Sequence, residues 1–158
     1  MLSRMLISTT AVLALMSLPA LAGETVLTVT GTSDPDRQLT FTMQELEALP
    51  QVTFDTTTVW TDGVQQFSGP ALKTVLDQAG FEGETVKARA LNDYVIDIPV
   101  SSLQDNAPII ATRIQGAPFP RREKGPLWIV YPFDSAAEFQ TEMIYGRSIW
   151  QLNRIEIQ

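Results

Sequence analysis

The sequence predicts an α+β fold: a single domain on a mixed β-sheet, with a few short helices. Three observations carry this. Runs of β-branched residues and period-two alternation outnumber helical stripes, and the helices fall between them irregularly. A chain of 158 residues, 44% hydrophobic and 18% charged, suits one core. No internal repeat, linker or low-complexity run divides it.

In chain order, residues 1–22 (MLSRMLISTTAVLALMSLPALA) read as a secretory signal peptide. Arg4 supplies the positive start, Met5 to Leu18 the apolar stretch, and Ala20-Leu21-Ala22 a cleavage site before Gly23. Ser8, Thr9, Thr10 and Ser17 interrupt the apolar stretch, which is short for a membrane span of ~20 apolar residues. The expected location is the periplasm, with cleavage after Ala22 and the folded domain over residues 23–158. Val26 to Thr30 reads as a strand stopped by the turn-rich Gly31 to Pro35, and Leu39 with Phe41 as a second. Thr42 and Glu45 have capping-box spacing, so a helix carrying Leu46 and Leu49 opens there and stops before Pro50. Gln51 to Trp60 alternates as a strand. Ser68-Gly69-Pro70 is expected to start a helix with the stripe Ala71, Leu72, Val75, Leu76 and Ala79, ending at Gly80. Val86 to Leu91 and Tyr94 to Val100 are strands around Asn92-Asp93. Ile109 to Ile114, Leu127 to Tyr131 and Ile149 to Ile157 are further strands, with one short helix expected from Ser135 to Tyr145.

Eleven basic against 18 acidic residues give a net charge of −7, which repels polyphosphate and argues against nucleic acid as a partner. There is no histidine and no cysteine. Serine–histidine hydrolases, thiol enzymes, haem and iron–sulfur proteins and ordinary zinc enzymes are thereby excluded. Ligand chemistry falls to carboxylates, Arg and Lys, hydroxyls, amides, aromatics and backbone. Metal-ligand spacing is missing too, since Asp34 and Asp36 supply too few oxygens for a calcium loop.

Three groups of residues have a functional and a purely structural reading. Thr56-Thr57-Thr58-Val59-Trp60 sets hydroxyls and an indole before a turn: Trp60 is either a stacking surface for a heterocycle or a core residue. Asn92-Asp93-Tyr94 is either an ordinary Asx-type turn or a carboxylate reading the N–H edge of a ring beside a stacking tyrosine. Arg121-Arg122-Glu123-Lys124 is either a solvated loop or an anion site. Arg113 and Arg147 border apolar strands, where each must pair with an acid or face a cleft.

Several blocks resemble one family. Trp60, then Phe67-Ser68-Gly69-Pro70-Ala71-Leu72 and Val75-Leu76, resembles the helix signature of the sulfite-oxidase-type molybdopterin-binding domain. Ala90-Leu91-Asn92-Asp93-Tyr94 with Ile98-Pro99 is similar to a second block of that family. Arg122-Glu123-Lys124-Gly125-Pro126-Leu127-Trp128-Ile129-Val130-Tyr131-Pro132 is similar to a third and more specific one, and Arg147 to Leu152 with Ile155 to the closing strand. The implied fold is the partly barrelled, sulfite-oxidase-like one. In the family's molybdenum enzymes a cysteine just before the tryptophan binds the metal; here Thr56 to Thr58 occupy that neighbourhood. Hydroxyls are hard donors, poorly matched to a soft metal centre.

The resemblance therefore leans toward small periplasmic members that bind a reduced pterin without catalysis. Such a protein is a sensor whose liganded form acts on a membrane partner, a cyclic-di-GMP enzyme or a sensor kinase. Transferred by position, the pterin site comprises Trp60 and Tyr94 as stacking faces and Asp93 or Asn92 at the ring edge. Arg122 and Lys124 face the ring oxygens, Arg147 lies nearby, and Thr57 or Thr58 fills the cysteine position. The alternatives are a molybdopterin-dependent oxidoreductase subunit and a ligand-free interaction module on the same scaffold.

Overall fold

The computed structural model describes residues 23–158, so the expected leader over residues 1–22 lies outside the described residues. β1 (Thr25–Gly31) and β2 (Asp34–Thr42) form an antiparallel pair, with Leu27 and Val29 fully buried. Thr42 caps α1 (Met43–Ala48) as its spacing predicts. Its hydroxyl accepts the Glu45 N–H at 3.2 Å, and the Glu45 carboxylate accepts the Thr42 N–H at 2.7 Å. These bonds to Thr42 hold the Glu45 carboxyl below its usual range.

β3 (Gln51–Thr58) and β4 (Thr61–Pro70) make a long hairpin whose two-residue connection is Val59-Trp60. Trp60 is thus a turn residue and not the last position of a strand. Ser68-Gly69-Pro70 departs from expectation in the other direction: it completes β4, with Gly69 opposite Val52. A Cβ on Gly69 would collide with the Ile110 carbonyl, so glycine is required for close passage of the backbones. The helix, α2 (Leu72–Ala79), begins after Ala71 and buries Leu72, Val75, Leu76 and Ala79. It ends as predicted at Gly80, in the left-handed region at φ 64°.

β5 (Thr85–Ala90) and β6 (Val95–Pro99) flank the Leu91–Tyr94 turn. The apolar run Ile109 to Ile114 is broken into β7 (Ile109–Ala111) and β8 (Arg113–Ile114). Between them the buried Thr112 sends its N–H to the Ser68 carbonyl at 2.9 Å. β9 (Ala117–Pro118) and β10 (Trp128–Val130) follow. The region expected as one helix from Ser135 is two single 3₁₀ turns, Phe133–Ser135 and Ala137–Phe139, and then α3 (Glu142–Arg147). β11 (Leu152–Ile157) closes the fold.

The largest sheet has the order β2-β1-β11-β5-β6; β11 runs parallel to β1 and antiparallel to β5, which makes the sheet mixed, as predicted. A second sheet is ordered β3-β4-β8-β9, and β7 pairs with β10. One continuous core joins them, with Leu27, Phe67, Leu72, Ile98, Ile110 and Trp128 fully buried. Among the described residues no helix is long and apolar enough to cross a membrane.

Candidate ligand-binding cleft

A cleft of about 420 Å³ opens where the β3–β4 turn, the β5–β6 turn and the stretch from α3 to Trp150 converge. It is lined by Trp60, Ala90, Asn92, Tyr94, Tyr145, Gly146, Ser148, Ile149 and Trp150. Its size lies within the ~300–1,000 Å³ of small-molecule sites, and its character, apolar walls with a few polar atoms, matches them.

The aromatic wall is built from distant segments. The Thr58 hydroxyl lies 2.7 Å from that of Thr61 and accepts the Trp60 N–H at 3.1 Å, which fixes the turn. The Trp60 indole then meets Trp128, Phe133, Tyr145 and Trp150 edge to face, at centroid distances of 5.8, 6.2, 6.0 and 5.7 Å. Trp128 also meets Trp150 at 6.3 Å and 83°, so all three tryptophans pack mutually. Trp128 is fully buried and donates its indole N–H to the Ser148 carbonyl at 3.0 Å. Ser148 caps α3, its hydroxyl donating to the Ile144 carbonyl at 3.0 Å. Trp150 stays 37% exposed and Tyr94 54% exposed, which leaves ring faces toward the opening.

The predicted residues divide. Trp60, Asn92 and Tyr94 line the cleft together. The Asn92 side-chain oxygen accepts the Tyr94 N–H at 3.2 Å, so its NH2 group is the end left to meet a ligand. Asp93, in the left-handed region at φ 65°, instead lines a separate polar groove with Lys87, Arg89 and Arg154, and its carboxylate lies 3.3 Å from Arg89. The turn that directs Asn92 and Tyr94 to one side turns Asp93 to the other.

Thr57 and Thr58 serve the frame. Thr57 donates its N–H and hydroxyl to the Asp134 carboxylate at 2.6 and 2.7 Å, and the Asp134 N–H donates to the buried Thr56 hydroxyl at 3.1 Å. The donors on Thr57 hold the Asp134 carboxyl below its usual range.

Of the cations, Lys124 places its ammonium 5.8 Å from the centre of the Trp128 ring. Arg147 sits between the cleft residues Gly146 and Ser148, beside Tyr131. Burial pushes the Tyr131 phenol up to about 12, and the Arg147 guanidinium opposes that rise. Arg122 is exposed on the loop before Lys124. Arg113 pairs with Glu47 at 2.8 Å, the acid partner its position requires. Tyr145 and Trp150 are cleft residues that sequence reasoning missed. Tyr145 lay in the least patterned stretch, and Trp150 reads as part of a closing strand that in fact starts at Leu152. Among the described residues no cluster of acidic side chains could hold a metal ion.

Residues 17–139 match the family model for the oxidoreductase molybdopterin binding domain, over three-quarters of the chain. The fold is similar to that in the crystal structure of the sulfane dehydrogenase SoxCD from Paracoccus pantotrophus. That likeness has a TM-score of 0.62 at 17% identity, and it covers 83% of this chain and 37% of that one. The chain thus spans well under half the length of the solved relative. No curated protein matches it in sequence.

Proposed function

Since the chain belongs to the oxidoreductase molybdopterin-binding domain family, we propose that its aromatic cleft binds a reduced pterin and that the protein is a periplasmic, non-catalytic sensor. The observation that carries this reading is the convergence of Trp60, Tyr94, Tyr145 and Trp150 on one cleft, with the Asn92 amide among them. Stacking faces and amide donors are what a flat, polar-edged heterocycle needs.

A molybdenum-bearing pterin divides into two halves when tested against these residues. The ring half suits the cleft. The metal half meets Thr56, Thr57 and Thr58, whose hydroxyls are already engaged with Asp134, Thr61 and the Trp60 N–H. No thiolate is available, because the chain contains no cysteine. The donor set does not fit molybdenum. As a sensor the protein transmits pterin occupancy to the periplasmic part of a membrane signalling protein, an enzyme of cyclic-di-GMP turnover or a sensor kinase. The exposed apolar side chains Val59, Leu91 and Met143, on segments beside the cleft, support such a contact.

The family match itself favours a second reading, a molybdopterin-dependent oxidoreductase subunit. Mass spectrometry of the small molecules released on denaturation, with metal analysis of protein made in a host that synthesises the molybdenum cofactor, separates the readings. Metal-free pterin is the expected result. Stoichiometric molybdenum overturns the sensor reading. An empty protein that takes up no added reduced pterin leaves the interaction-module reading in its place.

A further inference from the structure

Gln151 has a backbone of the kind glycine usually supplies, at φ 53°. A long side chain there carries a conformational cost that glycine would avoid. The compensation lies in what Gln151 joins. Its side-chain NH2 donates to the Arg121 carbonyl at 3.2 Å and to the Glu123 carbonyl at 3.1 Å. Its N–H donates to the Lys124 carbonyl at 3.1 Å, and its own carbonyl accepts the Leu91 N–H at 3.0 Å. One residue thereby ties the basic loop 121–124 and the Asn92–Tyr94 turn to the segment carrying Trp150.

Two of the three cations on the basic loop lack an acid partner among the described residues. Arg37, Lys73, Lys87, Arg89, Arg113 and Arg121 are each in an ion pair. Arg122, Lys124, Arg147 and Arg154 are in none among the described residues, although acids outnumber bases in the chain. Of these, Arg122 and Lys124 lie on the clamped loop, Arg147 adjoins the cleft, and the Lys124 ammonium stands over Trp128.

We propose that Gln151 is a positioning residue: by clamping the 121–124 loop against the aromatic wall, it sets how strongly the cleft takes a ligand bearing an anionic group over a neutral one. This rests on the pterin-binding reading, but the clamp can be tested without ligand. Gln151→Gly keeps the backbone conformation and removes both side-chain bonds. Gln151→Glu keeps the size and replaces the donors with acceptors facing two carbonyls, and it substitutes if Gln151→Gly fails to fold.

The test has two arms. In the first, the full protein without ligand is digested with trypsin, and cleavage after Arg121, Arg122 and Lys124 is followed by mass spectrometry. In the second, dihydroneopterin and its phosphate monoester are titrated by fluorescence. The variant is expected to keep the wild-type circular dichroism spectrum and to be cut in the loop roughly tenfold faster, since cleavage follows local opening. Affinity for the phosphate ester should fall roughly tenfold, as for loss of two modest hydrogen bonds, with dihydroneopterin changed less than about threefold. Unchanged loop cleavage, or equal weakening toward both pterins, overturns the proposal. If wild-type protein takes neither pterin, the functional reading fails and ligand discrimination by Gln151 fails with it; the digestion arm then decides, by itself, whether Gln151 clamps the loop.

Discussion

The Trp60 and Trp150 rings meet edge to face, with centroids 5.7 Å apart and planes at 78°. One comes from the β3–β4 turn and the other from the residues before β11, so the contact exists only once the sheets have assembled. It makes the cleft wall a tertiary product rather than a local motif.

Trp150→Ala removes an exposed stacking face. Reduced-pterin affinity should drop tenfold or more, from roughly 1–3 kcal/mol of ring stacking. Stability should fall by only about 1–2 kcal/mol, because the side chain is partly solvated. Trp60→Ala, which loses four aromatic contacts, should cost about 3 kcal/mol as well as binding. Fluorescence titration and urea unfolding measure the two effects. Wild-type affinity in Trp150→Ala would remove the ring from the site.

Asn92 and Asp93 are neighbours with opposite expected phenotypes. Asp93→Asn suits the left-handed backbone and breaks only an exposed pair with Arg89, so pterin affinity should change less than about twofold. Asn92→Ala removes the amide from the cleft and its support of the Tyr94 N–H, and should weaken binding about fivefold to tenfold. Calorimetric titration of both variants decides the matter; a large loss in Asp93→Asn would return the carboxylate to the site.

Tyr131 predicts an alkaline limit. Among the described residues its buried hydroxyl has no hydrogen-bond partner, and burial lifts its pKa from 10.0 to about 12. The unfolded chain loses this proton first, so its contribution to stability is intact below pH 10.0 and declines from there to about 12. Unfolding free energy of wild type relative to Tyr131→Phe should decline across that window. At neutral pH the variant should match wild type within about 1 kcal/mol or exceed it, since an unpaired buried hydroxyl is removed. A difference between the two that does not vary with pH would contradict the assignment.

Gly69→Ala should be severe. The added methyl meets the Ile110 carbonyl at a distance real Cβ atoms do not show, and the atoms it meets, in Ile110 and Ala111, are backbone that cannot turn aside. A loss of about 3 kcal/mol or more in urea unfolding is expected, at the upper end of overpacking effects.

Local signals predicted local structure well. The Thr42–Glu45 capping box, the α2 stripe and Gly80, and the alternation of β3 each rest on interactions within a few residues, and each appears where expected. Ser68-Gly69-Pro70 misled because its helix-start chemistry is overridden by pairing with β3 and passage against Ile110, partners remote in sequence. In the cleft, Trp60, Asn92 and Tyr94 were legible as aromatics and amides beside turn residues. The outward orientation of Asp93 was not, because it depends on one dihedral angle. Tyr145 and Trp150 were hidden for another reason: their role comes from the packing of α3 against two distant turns, which no periodicity records.

The place of β11 has a consequence for biogenesis. It is the middle strand of its sheet and the last in chain order, lying between β1 and β5. While a nascent chain lacks these six residues, β1–β2 and β5–β6 are two separate hairpins, each with an open edge where the other's sheet should continue. Assembly of this sheet therefore waits on β11 and is dominated by non-local pairing, which makes it slow and leaves unpaired edges open to other chains until that strand joins.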